Sequence, residues 1–159
     1  MEHRIREIIE THNLQSHPEG GYYAETYRSQ EEINTQNGTR NLMTAIYFLL
    51  TNEDVSRFHV IASDELWFHH EGDDVIVHVL DEDGHHQLKL GKQSKASRPQ
   101  HLVPKGKIFG SCIEGSLGYA LVSCVVAPGF DFKDFKLLPK AELLESHPNH
   151  EEIIHRLGC

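Results

Sequence analysis

The side chains with the most chemical potential lie between Phe58 and Asp73: His59, Glu65, Trp67, His69, His70 and Glu71. All stand inside apolar, strand-like sequence. Imidazoles and carboxylates exchange protons near neutral pH and ligate divalent metals. Burying them is costly unless they are hydrogen-bonded, paired or bound to something. A β chain that tolerates them is expected to wrap them around a cavity. Strand alternation puts Glu65, Trp67 and His69 on one face and Leu66 and Phe68 on the other. The expectation is that His59, Glu65, Trp67 and His69 point inward.

A second constellation is His17-Pro18-Glu19-Gly20-Gly21-Tyr22-Tyr23-Ala24-Glu25-Thr26-Tyr27-Arg28. The glycine pair permits positive φ and close backbone approach. In an extended strand Tyr23, Glu25 and Tyr27 share one face, and Tyr22, Thr26 and Arg28 the other. Glu19, Tyr22 and Arg28, with Trp67 and His69, are therefore the candidate ligand-binding residues. Arg28 either offers its guanidinium to an anionic ligand or pairs with a structural acid. His150 and His155 in the tail suggest a zinc-protease helix, but they stand five apart rather than four and so do not share a face.

These residues need a scaffold of strands. Ile5, Ile8 and Ile9 define one face of a helix that ends before Pro18. Strands are expected over Tyr22–Tyr27, Leu42–Leu50, Ser56–Ala62, Glu65–His70, Asp74–Leu80, Gln87–Leu90, Gln100–Val103, Lys107–Ile113 and Tyr119–Val126. Glu31–Arg40 reads as a polar connection with a turn at Asn37-Gly38. Asp81-Glu82-Asp83-Gly84 reads as a hairpin turn. A helix at Lys140–Glu145 and another capped by Asn149, stopping at Gly158, close the chain. Short strands at this spacing make a sandwich or barrel.

The chain has 159 residues, 38% hydrophobic and 25% charged, which suits one domain with a proper core. Its longest apolar run, ending at Leu50, is too short to span a bilayer, and the first residues lack a signal-peptide core. Net charge is −9, from 15 basic and 24 acidic residues, without a basic stripe. Nucleic acid and anionic membranes are poor partners for such a surface. The 3 cysteines have no CxxC spacing, which fits reduced thiols and a cytoplasmic location.

The HPEGGYY-type stretch, the segment Ser63-Asp64-Glu65-Leu66-Trp67-Phe68-His69 with Gly72-Asp73, and Val122-Ser123-Cys124-Val125-Val126-Ala127-Pro128-Gly129-Phe130-Asp131-Phe132 together resemble the Cupin_5 family of the cupin superfamily. The likeness runs from Leu14 to about Phe135. It implies a mainly β fold, the double-stranded β-helix or jelly roll, with short N- and C-terminal helices and a site in the barrel mouth. General cupins hold a divalent metal through two His and a Glu of one motif and a His of another. Here Glu65 and Gly72 keep the motif spacing. Arg57 stands where the first His belongs, and Phe109 replaces the last, so two of the usual ligands are absent. A metal set drawn from His59, Glu65, His69 and His101 would have to substitute.

The leading expectation is a small-molecule-binding protein resembling sugar or sugar-nucleotide epimerases and isomerases. In that reading His59 is the general base, Asp131 or Glu65 its orienter, and a motif tyrosine the acid. Two alternatives stand beside it: a metal-dependent isomerase or dioxygenase, and a non-catalytic ligand-binding or storage-like module. The expected ligand is small and polar or anionic. A homodimer is expected, built on the open edge of the strand from Tyr22 to Arg28.

Overall fold

The computed structural model describes residues 1–159. The elements run α1 (Glu2–His12), β1 (Gln15–Ser16), β2 (Tyr22–Arg28), β3 (Glu32–Thr35), β4 (Gly38–Asn41), β5 (Thr44–Thr51), β6 (Ser56–Val60), β7 (Asp64–Gly72), β8 (Asp74–Asp81), β9 (Gly84–Leu90), β10 (Gln100–Val103), β11 (Ile108–Glu114), β12 (Tyr119–Ala127), β13 (Lys136–Leu137), α2 (Lys140–Ser146) and α3 (Glu151–Leu157). Two antiparallel sheets carry the fold. One has the order β1-β2-β5-β12-β7-β10, the other β13-β6-β11-β8-β9. The architecture is mainly β with short terminal helices, as the sequence implies.

Period-2 alternation explains how the layers stack. In β8, Val75, Val77 and Val79 join the inter-sheet core with Phe48, Trp67 and Phe109. The residues between them face outward, where Ile76 and Leu80 pack against Leu143, Ile154 and Leu157 of the C-terminal helices. With both faces covered, β8 reads as a nearly continuous apolar run, interrupted only by His78. Likewise Leu49 and Leu121 turn outward under Ile8 of α1. Arg4 fixes that helix through a bidentate pair with Glu71 at 2.7 Å, and the Tyr119 hydroxyl donates to the same carboxylate.

Two local expectations are corrected. Glu31–Arg40 is not merely a connection, because β3 and β4 pair as a hairpin around Asn37-Gly38. Its strands are mostly exposed, so no apolar alternation marks them. Asn149 does not cap the last helix: it lies in a short 3-10 turn, and His150 holds the cap position without a side-chain bond. The edge of β2 is partly covered, since β1 pairs only with Tyr22 and Tyr23. All three cysteines are free thiols. No helix is long and apolar enough to cross a membrane.

Candidate functional site

A cavity of about 50 Å³ lies between the sheets, lined by His17, Glu19, Tyr23, His59, Glu65 and Trp67 among others. It has room for roughly one or two waters, or a polar group of similar size. A wider depression of about 640 Å³ sits outside, between the β8–β9 turn and the C-terminal helices. It is shallow and polar, and Glu19, His59 and Glu65 lie nowhere near it.

The loop before β2 delivers Glu19. Gly20 adopts φ 109° and Gly21 φ 79°. A Cβ on Gly20 would meet the Val55 carbonyl oxygen at 1.9 Å, so only glycine lets the loop press against the start of β6. That approach is sealed by the Arg57 N–H, which donates to the Glu19 carbonyl at 2.7 Å. Glu19 then meets His59 inside, with Oε2 at 2.8 Å from Nε2. The other ring nitrogen, Nδ1, lies 2.7 Å from the Arg57 carbonyl. Both partners of His59 are acceptors, so the ring carries two protons. Burial opposes charge on both members, yet their mutual attraction and hydrogen bond prevail. His59 is held above its ordinary pKa and Glu19 below its own. The pair is an imidazolium and a carboxylate, and His59 has no nitrogen left for a substrate.

His17 accepts a hydrogen bond at Nδ1 from the Glu19 backbone N–H, which leaves its ring proton on Nε2. Burial pushes its pKa down, outweighing the pull of Glu19, so the ring is neutral. Glu65 is the unpaired acid. Burial first, then the charge of Glu19, raises its carboxyl to about 8 against a weaker pull from His59, Trp67 and Cys124. The Trp67 indole N–H lies beside that carboxyl, but its nitrogen is buried and completes no hydrogen bond. Cys124 faces the same group, and burial pushes its thiol well up, so it stays protonated.

The expected residues divide clearly. His59, Glu65, Trp67 and Glu19 converge on the cavity. Tyr22 does not: it packs outward against the α1 cluster, and its neighbour Tyr23 takes the inner position. A bulge between Glu25 and Tyr27 shifts the register of β2. It brings Arg28 to the side of Glu25, where it bonds that carboxylate at 2.6 Å, Asn41 at 2.7 Å and the Phe130 carbonyl at 3.1 Å. Of the two uses open to Arg28, the structure shows the structural one. Asp131 is not beside His59: it caps a 3-10 turn through the Lys133 N–H and approaches Arg40 at 3.8 Å. Glu19 holds the place expected of Asp131.

The metal set is dispersed. His69 donates to the Asp73 carbonyl and His101 to the Lys89 carbonyl, both away from the cavity. No three His, Cys, Asp or Glu side chains are grouped to hold a metal ion. The Phe109 ring, centred 4.2 Å from His59, fills the space where a further ligand would have to approach. These residues do not fit a cupin metal centre.

Residues 6–138 match the family described as Cupin superfamily (DUF985), Cupin_5. The chain belongs to this family. An uncharacterized protein of Saccharomyces cerevisiae is 30% identical over 151 residues, spanning 84% of this chain and 75% of its own. A hypothetical protein from Leishmania major superposes with a TM-score of 0.90 at 38% identity, over 96% of this chain and 97% of that one. A Shewanella oneidensis protein gives 0.89 at 37%, with 96% of each chain covered. None of these names carries an activity, so the chemistry of this Cupin_5 protein is argued from its own cavity.

Two members of the site lie within the family motifs but were not among the expected site residues. His17 and Cys124 line the cavity but carry no spacing signal relative to Glu65. Only the pairing of Cys124 with Trp67 across β12 and β7 brings it there.

Proposed function

We propose that this Cupin_5 protein catalyses proton transfer at carbon next to a carbonyl, as an epimerase or isomerase does, on a small hydroxy-carbonyl compound. The observation that carries this is Glu65: a buried carboxyl facing the cavity, without an ionic partner of its own, beside a Glu19–His59 pair that is already complete. A carboxyl poised near operating pH is a competent proton carrier. Glu65 as carboxylate takes the proton from carbon. The electron pair moves onto the carbonyl oxygen as an enolate. Return of the proton from Glu65 to the same carbon gives epimerisation; return to the former carbonyl carbon gives isomerisation, with the hydroxyl proton of the enediol passing to the enolate oxygen so that the carbonyl changes place. The Trp67 N–H and the nearby imidazolium of His59 stabilise the developing negative charge. His59 acts as a positioning and electrostatic residue, in place of the general base expected from sequence. The space inside admits the reacting end of a substrate; a sugar nucleotide would have to leave its bulk outside the mouth.

The test is hydrogen–deuterium exchange. Glyceraldehyde, dihydroxyacetone and erythrulose are incubated with the protein in D₂O and followed by proton NMR. Exchange above the buffer rate is expected, rising with pH to a plateau beyond about 8 and lost in Glu65→Gln. Exchange that persists undiminished in Glu65→Gln, or none above buffer with all three compounds, refutes the reading.

A further inference from the structure

The charges around the cavity are already balanced without a ligand. Glu19 is matched by His59 at 2.8 Å and Glu25 by Arg28 at 2.6 Å. No lysine or arginine lines the space. An anion entering would therefore be buried beside Glu19 and Glu65 with no free cation, which is the costly case. What the cavity does offer is hydrogen-bond donors. The Trp67 indole nitrogen is 1% exposed as a residue and can only donate; it lies against the Glu65 carboxyl without completing a well-formed hydrogen bond. A buried donor without a well-placed acceptor is costly, so an acceptor from a ligand would recover part of that loss. His17 holds its proton on Nε2, and Glu65 in its neutral form adds an O–H.

We propose that the barrel interior selects an uncharged carbonyl or amide oxygen, read by the Trp67 N–H with Glu65 beside it, and rejects carboxylates and phosphates. This rests on the cavity being the ligand site, as in the proposed function, and adds the charge class it takes. It departs from the expectation of an anionic ligand. The specificity comes from an incompletely satisfied donor and from missing cations rather than from shape, because so small a space has little shape to offer.

Trp67 is the 1 tryptophan of the chain, so it reports on the site directly. Nitrogen-15-labelled protein will show a single indole N–H resonance, and intrinsic emission comes from the same ring. The full-length protein is titrated with matched pairs: acetamide against acetate, and hydroxyacetone against lactate, with inorganic phosphate alongside. The neutral member of each pair is expected to move the indole resonance and the emission. Its charged twin and phosphate should bind at least tenfold more weakly, about 1.4 kcal/mol. Trp67→Phe keeps the ring packing and removes the donor, and should weaken hydroxyacetone binding, read by ligand-observed NMR, at least about fivefold. If that variant fails to fold, the wild-type indole shift alone decides. Acetate, lactate or phosphate binding as tightly as the neutral probes would overturn the charge selectivity while leaving the site in place. An indole resonance unmoved by every probe up to its solubility limit would overturn the site and the inference together.

Discussion

Replacing Glu65 by Gln tests whether this carboxyl is buried at a cost to the fold. The side chain keeps its shape and loses its titration. Glu65 sits at about 8 in the folded protein, against 4.5 as its ordinary value. Between those values the folded chain holds a proton that the unfolded chain has released. Stability contributed by this group is therefore full below pH 4.5 and falls as pH rises towards 8. Each pKa unit is worth about 1.36 kcal/mol, so at pH 7 the deficit is about 3 kcal/mol. For a domain of this size 1 kcal/mol moves the melting temperature by roughly 2–4 °C; less about 1 kcal/mol for burying the amide, this puts Glu65→Gln roughly 4–8 °C above wild type at neutral pH. The assay is urea unfolding of both proteins from pH 4 to pH 9. A buried amide carries a fixed cost of about 1 kcal/mol of its own, so the slope of the difference with pH is the informative quantity. Near pH 4 the two should be closest, and the gap should widen with pH and level off beyond about 8. A difference that stays flat across that window would show that Glu65 is an ordinary carboxylate and would remove the basis for its proposed role.

Three further outcomes follow from the same geometry. His59→Phe strands Glu19 as a buried charge and should cost about 3–5 kcal/mol, while adding Glu19→Leu should recover most of the loss; a double-mutant cycle in urea reads this directly. Gly20→Ala places a methyl 1.9 Å from the Val55 carbonyl at φ 109°, so it should lower stability by at least about 2 kcal/mol in the same assay. His78, on the outer face of β8, is held at about 4 by burial and by His85 and Arg156. The unfolded chain then binds the extra proton first, so stability falls as pH drops from 6.5 towards 4, by about 3 kcal/mol for this group. His78→Gln should flatten that acid limb, and thermal melts across the range will show whether it does.

Much of the barrel is legible in the chain because burial writes a short-range pattern. Alternation in Glu65-Leu66-Trp67 places the acid and the indole on the inner face without reference to any other segment. Continuous apolar runs bounded by turns locate β8 and β12, and both signals fall silent at β3 and β4, which are mostly exposed. The site itself is a long-range object. Glu19 and His59 are forty positions apart, and what joins them is a glycine loop pressed against β6, a contact that leaves no periodic trace. The bulge in β2 is a second case: it skips Thr26 and brings Arg28 to Glu25, undoing the face assignment that strict alternation gives.

The partner that Glu19 supplies decides how His59 can act. A histidine read in isolation suggests a base near its unperturbed pKa. Between a carbonyl at one nitrogen and a buried carboxylate at the other, it is a fixed cation. Its charge draws Glu65 down less than burial and the charge of Glu19 push it up. In the proposed reaction the proton that moves then belongs to the acid with no ionic partner. In this cavity a completed ion pair leaves its neighbour free, and the proposed chemistry rests on that arrangement of three side chains more than on any one of them.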